Sequence, residues 1–118
     1  MPERTRPSRV GEEFREVLAA EIPKLKDPRV GFVTITGVRV TPDLRHARVL
    51  YTAMGDERAR RATAAGLESA RAHLRQVLGA QVRLKFLPDV EFVEDRTEES
   101  AGRVDELLRR LREDERDG

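Results

Sequence analysis

The side chains that carry common catalytic chemistry are scarce in this chain of 118 residues. Its two histidines, His46 and His73, are too few for a histidine-based metal site. The absence of cysteine removes thiolate nucleophiles, cysteine-ligated zinc and disulfides. The acidic runs at Glu98 and Glu99 and from Glu113 to Glu115 have the spacing of acid and base partners. They fall on a solvated helical stretch with nothing to perturb their pKa values. What the chain holds in quantity is guanidinium, since 20 of its 23 basic residues are arginine. That planar fork suits phosphate better than an ammonium does. GC-rich coding also favours arginine, so the ratio by itself does not single out RNA. The reading is a binding protein, not an enzyme, with no metal or cofactor.

The net charge of +1 conceals a segregation. Residues 92–118 carry ten acids against six arginines, a balance of −4, which leaves +5 on residues 1–91. A basic body with an acidic tail suits a polyanionic partner. The length fits one domain with a modest core. No stretch approaches the roughly 20 apolar residues of a membrane span. The N-terminal "MPERTRPSRV" lacks the apolar segment of a signal peptide, so a cytoplasmic location is expected.

The elements that must position these charges follow from periodicity. A first helix is expected from an N-cap at Ser8, with Val10, Phe14, Val17, Leu18 and Ile22 on one face and Glu12, Glu13, Arg15 and Glu16 in solvent. Pro28 cannot continue a helix and biases Asp27 away from the α region, which puts the stop near Lys26. Arg29 is placed to pair with Asp27 across that turn, an RNA contact being the alternative. In the strand that follows, Val33 and Ile35 are odd whereas Val38 and Val40 are even, and Gly37 lies at the change of phase. A β-bulge there returns both pairs to the core. "TPDL", residues 41–44, reads as a turn into a second strand in which Ala47, Val49, Tyr51 and Ala53 alternate with Arg48, Leu50 and Thr52. His46 reads as a surface or edge residue.

A long helix is expected from Asp56 to Leu78, with Ala59, Ala62, Gly66, Ala70, Leu74 and Val77 on a narrow face and Gly79 closing it. "AQVRLKFLPDVEFV" reads as a third strand with Val82, Leu84 and Phe86 inward, Arg83 and Lys85 outward, and a bend or edge at Pro88. A last helix near Thr97 to Glu113 gathers Val104, Leu107, Leu108 and Leu111, and "REDERDG" is expected to fray.

The order helix, strand, strand, helix, strand, helix predicts an α+β domain with helices on one face of a three-stranded sheet. Among small RNA binders that order matches the prokaryotic, type II, KH domain. A KH domain of the usual kind clamps nucleotides with a GxxG loop, which this chain lacks because no two glycines are three apart. An RRM begins with a strand and stacks bases on several aromatics, whereas "RVGFVTI" offers Phe32 alone.

"RPSRV", "KDPRVGFVTITGVRVTPDL", "ARVLYT", "ESARAHLRQVLGAQVRLKFLPDVEF" and "DELLRRL" together closely resemble bacterial ribosome-binding factor A, from about Arg6 to Leu111. The resemblance implies a KH-like domain over residues 1–112, with a disordered acidic tail at 113–118. In it the GxxG loop is replaced by a kink between helices, often written A-x-G. The matching residues are Ala70, Arg71 and Ala72; the Gly is Ala here, which leaves the sharp kink open while still permitting close backbone approach. It further implies a monomer that binds the free small (30S) ribosomal subunit and its 16S rRNA. There it assists late maturation of the precursor's 5' end, with an assembly GTPase promoting release. Under that reading the phosphate contacts are Arg6 and Arg9 at the first helix start, Arg71 and Arg75 at the kink, and Arg83 and Lys85 on the third strand. His73 lies among them and contacts a base or phosphate. A general RNA-binding module and a protein-interaction domain using the Leu107 to Leu111 stripe are the alternatives.

Overall fold

In a computed structural model, which describes residues 5–96, the chain turns helical one residue after Thr5. Thr5, and not Ser8, is the N-cap of α1 (Arg6–Glu21), and its hydroxyl oxygen accepts the Ser8 N–H at 3.2 Å. Pro7 in the first turn explains the earlier start, because its ring presets a helical φ and its missing N–H would have had no partner there. Val10, Phe14 and Leu18 are buried along one face, with Glu12, Glu13, Arg15 and Glu16 in water. The α-helix stops at Glu21, ahead of the expected Lys26, and a 3-10 turn (Ile22–Lys24) follows. The residue responsible is Pro23, which removes the N–H that would bond the previous turn.

The "KDPRVG" segment then docks. Arg29 donates to Asp27 through its backbone N–H at 2.9 Å and its guanidinium at 2.6 Å, so the turn-spanning pair is formed. The same guanidinium donates to Ser69 Oγ at 3.0 Å, and Gly31 N–H donates to the buried Thr63 hydroxyl at 3.2 Å. Both partners lie on α2 (Glu57–Gln81). Close packing is possible because Gly66 faces the loop: a Cβ there would sit 2.5 Å from Val30 Cγ2.

β1 (Val33–Val40) and β2 (His46–Ala53) form an antiparallel hairpin. The register slips between Ile35, opposite Tyr51, and Gly37, opposite Leu50, leaving Thr36 as the inserted residue. That bulge lets Val33, Ile35, Val38 and Val40 all pack on the core despite their mixed parity. Thr36, re-aimed by it, donates to Asp95 Oδ2 at 2.9 Å. In the connecting turn the Leu44 N–H donates to Thr41 C=O at 2.8 Å, and Leu44 takes a left-handed φ of 61°. Asp43 Oδ1 accepts from the Thr41 hydroxyl at 2.6 Å and the Arg45 N–H at 3.0 Å, and these bonds hold its carboxyl below the usual range.

Capped by Asp56, α2 runs unbroken through Ala70 to Ala72, with no interruption at the expected kink. It buries Thr63, Gly66, Leu67, Leu74 and Leu78, so the inward stripe is wider and richer in leucine than a face running through the exposed Ala59. Gly79 does not close it; the helix continues to Gln81, and Gly79 instead makes room for the returning chain, since a Cβ there would meet Leu87 Cδ1 at 2.8 Å.

The third strand is shorter than the alternation predicts. β3 (Asp89–Glu94) starts only after Pro88, and residues 82–88 are not in a strand. The Arg75 guanidinium donates to the carbonyls of Leu87 at 3.1 Å and Pro88 at 2.9 Å, occupying acceptors a ladder would use. Val82 is buried and Leu84 half-buried, but Phe86 points out, 53% exposed. Arg83 and Lys85 therefore stand on a loop. β3 joins β2 in parallel, giving a sheet of order β1-β2-β3. Both helices cover one face of it through a single cluster built on Phe14, Leu18, Val49, Leu67, Leu74 and Leu78. The expected last helix, its leucine stripe and the acidic tail lie outside the described residues.

Candidate nucleic-acid interface

Antiparallel β1 and β2 with parallel β3 bring the C-terminal end of β1 and the N-terminal ends of β2 and β3 to one end of the sheet. The middle of α2 passes over that end. Between them lies a groove of ≈ 890 Å³ lined by Arg39, His46, Arg48, Arg71, Arg75 and Glu91, with Ala47, Ala72 and Val90 among its apolar walls.

The fold positions each cation differently. Arg39 and Arg48 face one another across the hairpin register. Like charges in that relation repel. Arg48 is relieved by Glu91 at 3.5 Å, while Arg39 has no carboxylate partner among the described residues. Arg71 is 3.2 Å from Glu68 on its own helix and half-exposed. Arg75 is the most committed, with two carbonyls and Asp89 at 3.5 Å. The His46 ring lies 3.9 Å from Asp89 and is exposed. Such an arrangement has the charge and the forked donors an anion requires, with Glu91 beside Arg48 and Asp89 beside Arg75.

Of the residues expected from sequence, Arg71, Ala72 and Arg75 line the groove. Ala70, the residue before, is half-buried against the core. His73 is turned the other way, its Nε2 4.0 Å from Glu21 Oε1 on α1. Arg6 and Arg9 are exposed on the first turn of α1, which lies at the same end of the sheet because Gly11 abuts the Val38 carbonyl near the end of β1. Arg83 and Lys85 are exposed on the 82–88 loop, which meets the hairpin turn where Asp89 N–H donates to Arg45 C=O at 2.8 Å. The fold thus gathers these arginines and Lys85 at one end and leaves His73 out.

Sequence reading missed Arg39, Arg45 and Arg48. The signal was present as outward parity: Arg48 alternates with Ala47 and Val49, and the bulge at Thr36 puts Arg39 on the same side. Among the described residues no group of three or more His, Cys, Asp or Glu could hold a metal ion. No helix there is long and apolar enough to cross a membrane.

Comparison with known proteins assigns the chain. The sequence profile of the family "Ribosome-binding factor A" matches residues 6–108. A ribosome-binding factor A of Geobacter sulfurreducens is 48% identical over 107 residues, covering 90% of this chain and 91% of the relative. One from Acidothermus cellulolyticus is 44% identical, covering 99% of this chain and 79% of the relative. The crystal structure of ribosome-binding factor A from Thermus thermophilus superposes with a TM-score of 0.69 at 28% identity, covering 79% of this chain and all of that one. A homology model of the Thermus thermophilus factor, fitted into a cryo-EM map of a 30S complex, gives 0.61 at 30% identity, covering 72% and 90%. With an α+β fold whose described residues place two helices on a three-stranded sheet, and relatives that match nearly end to end, this chain belongs to the ribosome-binding factor A family.

Proposed function

We propose that this protein is a non-enzymatic assembly factor that binds the free small ribosomal subunit and its 16S rRNA. There it assists late maturation of the precursor's 5' end. The observation that carries this reading is the arginine-lined groove at one end of the sheet, in a family with a member fitted into a map of a 30S complex. Ribosomal RNA presents dense phosphate, and each contact releases counterions and adds salt-sensitive affinity. The scaffold is KH-like of type II, with the Ala70 to Ala72 stretch of an unbroken α2 where a GxxG loop would stand. Residues 1–112 form the binding domain and residues 113–118 an acidic tail.

The contacting set is Arg6, Arg9, Arg71, Ala72, Arg83 and Lys85, joined by Arg39 and Arg48. Arg75 serves the surface chiefly by holding the 82–88 loop. Ala70 keeps α2 close to the core, and His73, turned toward Glu21, stands outside the contacting set. The protein acts as a monomer in the cytoplasm, and a GTPase of the assembly pathway promotes its release. Co-sedimentation with small subunits, large subunits and whole ribosomes over a salt series tests the reading. Binding confined to free small subunits and weakening as salt rises is the expected outcome; equal binding to all three particles would reduce the protein to a general RNA-binding module.

A further inference from the structure

We propose that Phe86 is a stacking platform for an unpaired nucleobase, with Arg45 and Lys85 holding the phosphates on either side of it. The inference rests on the RNA-binding reading above and assigns that surface single-stranded RNA as its ligand.

Phe86 lies 53% exposed between Leu84 and Leu87, which are both half-buried. Burying a phenylalanine is favourable, so the loop forgoes that gain by turning the ring outward. The ring is held by cations: the Arg45 guanidinium carbon is 4.9 Å and Lys85 Nζ 5.6 Å from its centroid. Among the described residues, Phe86 is the ring so flanked. Phe32, 69% exposed at the opposite end of the sheet, has no cation from the described residues over it.

The platform is pre-organised. Arg45 is pinned on both sides, its N–H donating to Asp43 Oδ1 at 3.0 Å and its C=O accepting from Asp89 at 2.8 Å. The next residues after Phe86 are fixed by the bonds from Arg75 to the Leu87 and Pro88 carbonyls. These anchors place the ring at the rim of the arginine groove, continuous with it through Asp89. A nucleotide offers the two halves this arrangement matches, a flat π face and a flanking anion. Aromatic rings beside a basic track bind single strands with little regard to sequence. An apolar protein surface would leave both cations unmatched.

The test uses the full chain and an unstructured oligoadenylate. Phe86→Leu keeps an apolar side chain but loses the π face, and is expected to weaken binding about 5- to 150-fold, the loss of one stacked base. The dependence on salt should stay unchanged. Arg45→Ala should instead lower the salt slope by about 0.7, one single-strand phosphate contact. Because the chain has no tryptophan, Phe86→Trp installs one reporter, which should keep the affinity and be quenched by the oligonucleotide. Wild-type affinity in Phe86→Leu, or unquenched fluorescence in a Phe86→Trp protein that still binds, overturns the proposal. Failure to bind oligoadenylate at all overturns it too. Co-sedimentation of the same variants with small subunits separates the two readings: if Phe86→Leu sediments normally while Arg39→Glu with Arg48→Glu does not, stacking fails and the groove stands.

Discussion

The two ends of the sheet use arginine in opposite ways. At one end Arg29 is spent on the fold, clamped to Asp27 at 2.6 Å and to Ser69 at 3.0 Å, where the loop before β1 locks onto α2. At the other, Arg39 faces Arg48 across a hairpin, and the neighbouring carboxylates offset only part of the charge. An arginine whose donors meet protein acceptors in the right directions stabilises structure. One held beside another cation costs stability until an anion arrives. Residue type does not separate the two roles; the acceptors within reach do.

The contrast breaks most visibly at Gly66. Gly66→Val drives a side chain into Val30 and should destabilise the fold by about 1–3 kcal/mol, read as a lower Tm, with RNA affinity per folded molecule retained. Arg39→Glu with Arg48→Glu should do the reverse. Affinity for small subunits is expected to fall tenfold or more and the salt slope by about 2, one for each lost phosphate contact. Stability should fall by no more than about 1 kcal/mol, because one exposed like-charge pair replaces another and only the exposed pairing with Glu91 is reversed. If this pair instead unfolds the hairpin, the distinction between the ends fails. Thr63→Val removes the hydroxyl that accepts from Gly31 and donates to Arg29 C=O, and should cost about 1 kcal/mol in denaturant melts.

The smallest effect is one of pH. Hydrogen bonds from the Arg29 side chain, and then from its backbone, hold the Asp27 carboxyl at about 2 against an ordinary 3.8. Because the folded value is the lower one, the stabilisation is complete above the unfolded value and is lost as pH falls through about 2. Asp27→Asn should therefore melt below wild type at neutral pH, and the gap should close between pH 4 and pH 2. A gap that persists in acid would mean that the amide itself disrupts the turn.

Much of the scaffold was legible because its signals are local. The parity change across Gly37 exposed the bulge, and Asp56 announced the start of α2. Asp27 and Arg29 are near enough in sequence for their pairing to be read directly. What escaped depends on residues far apart. Local alternation at Val82, Leu84 and Phe86 reads as a strand, but Arg75 takes the carbonyls that follow and Arg45 holds the ring outside. Gly79 looks like a cap until Leu87 returns to pack against it. The groove was half legible: Arg71 and Arg75 came from family resemblance, whereas Arg39 and Arg48 needed the hairpin register to bring them opposite one another. His73 follows Ala72 in sequence but stands about 160° around the helix from Arg71 and Arg75, enough to face Glu21 instead.

The inserted Thr36 has a consequence beyond the core. β1 is an outer strand of the described sheet, and an outer strand offers unpaired N–H and C=O groups on which another copy could add its own. A strand growing along that edge would match β1 as far as Ile35 and fall out of step at Gly37. The residue that returns Val38 and Val40 to the interior thus also guards the edge against aggregation, a useful property in a protein whose arginine-lined groove opens a short distance away on the same small sheet.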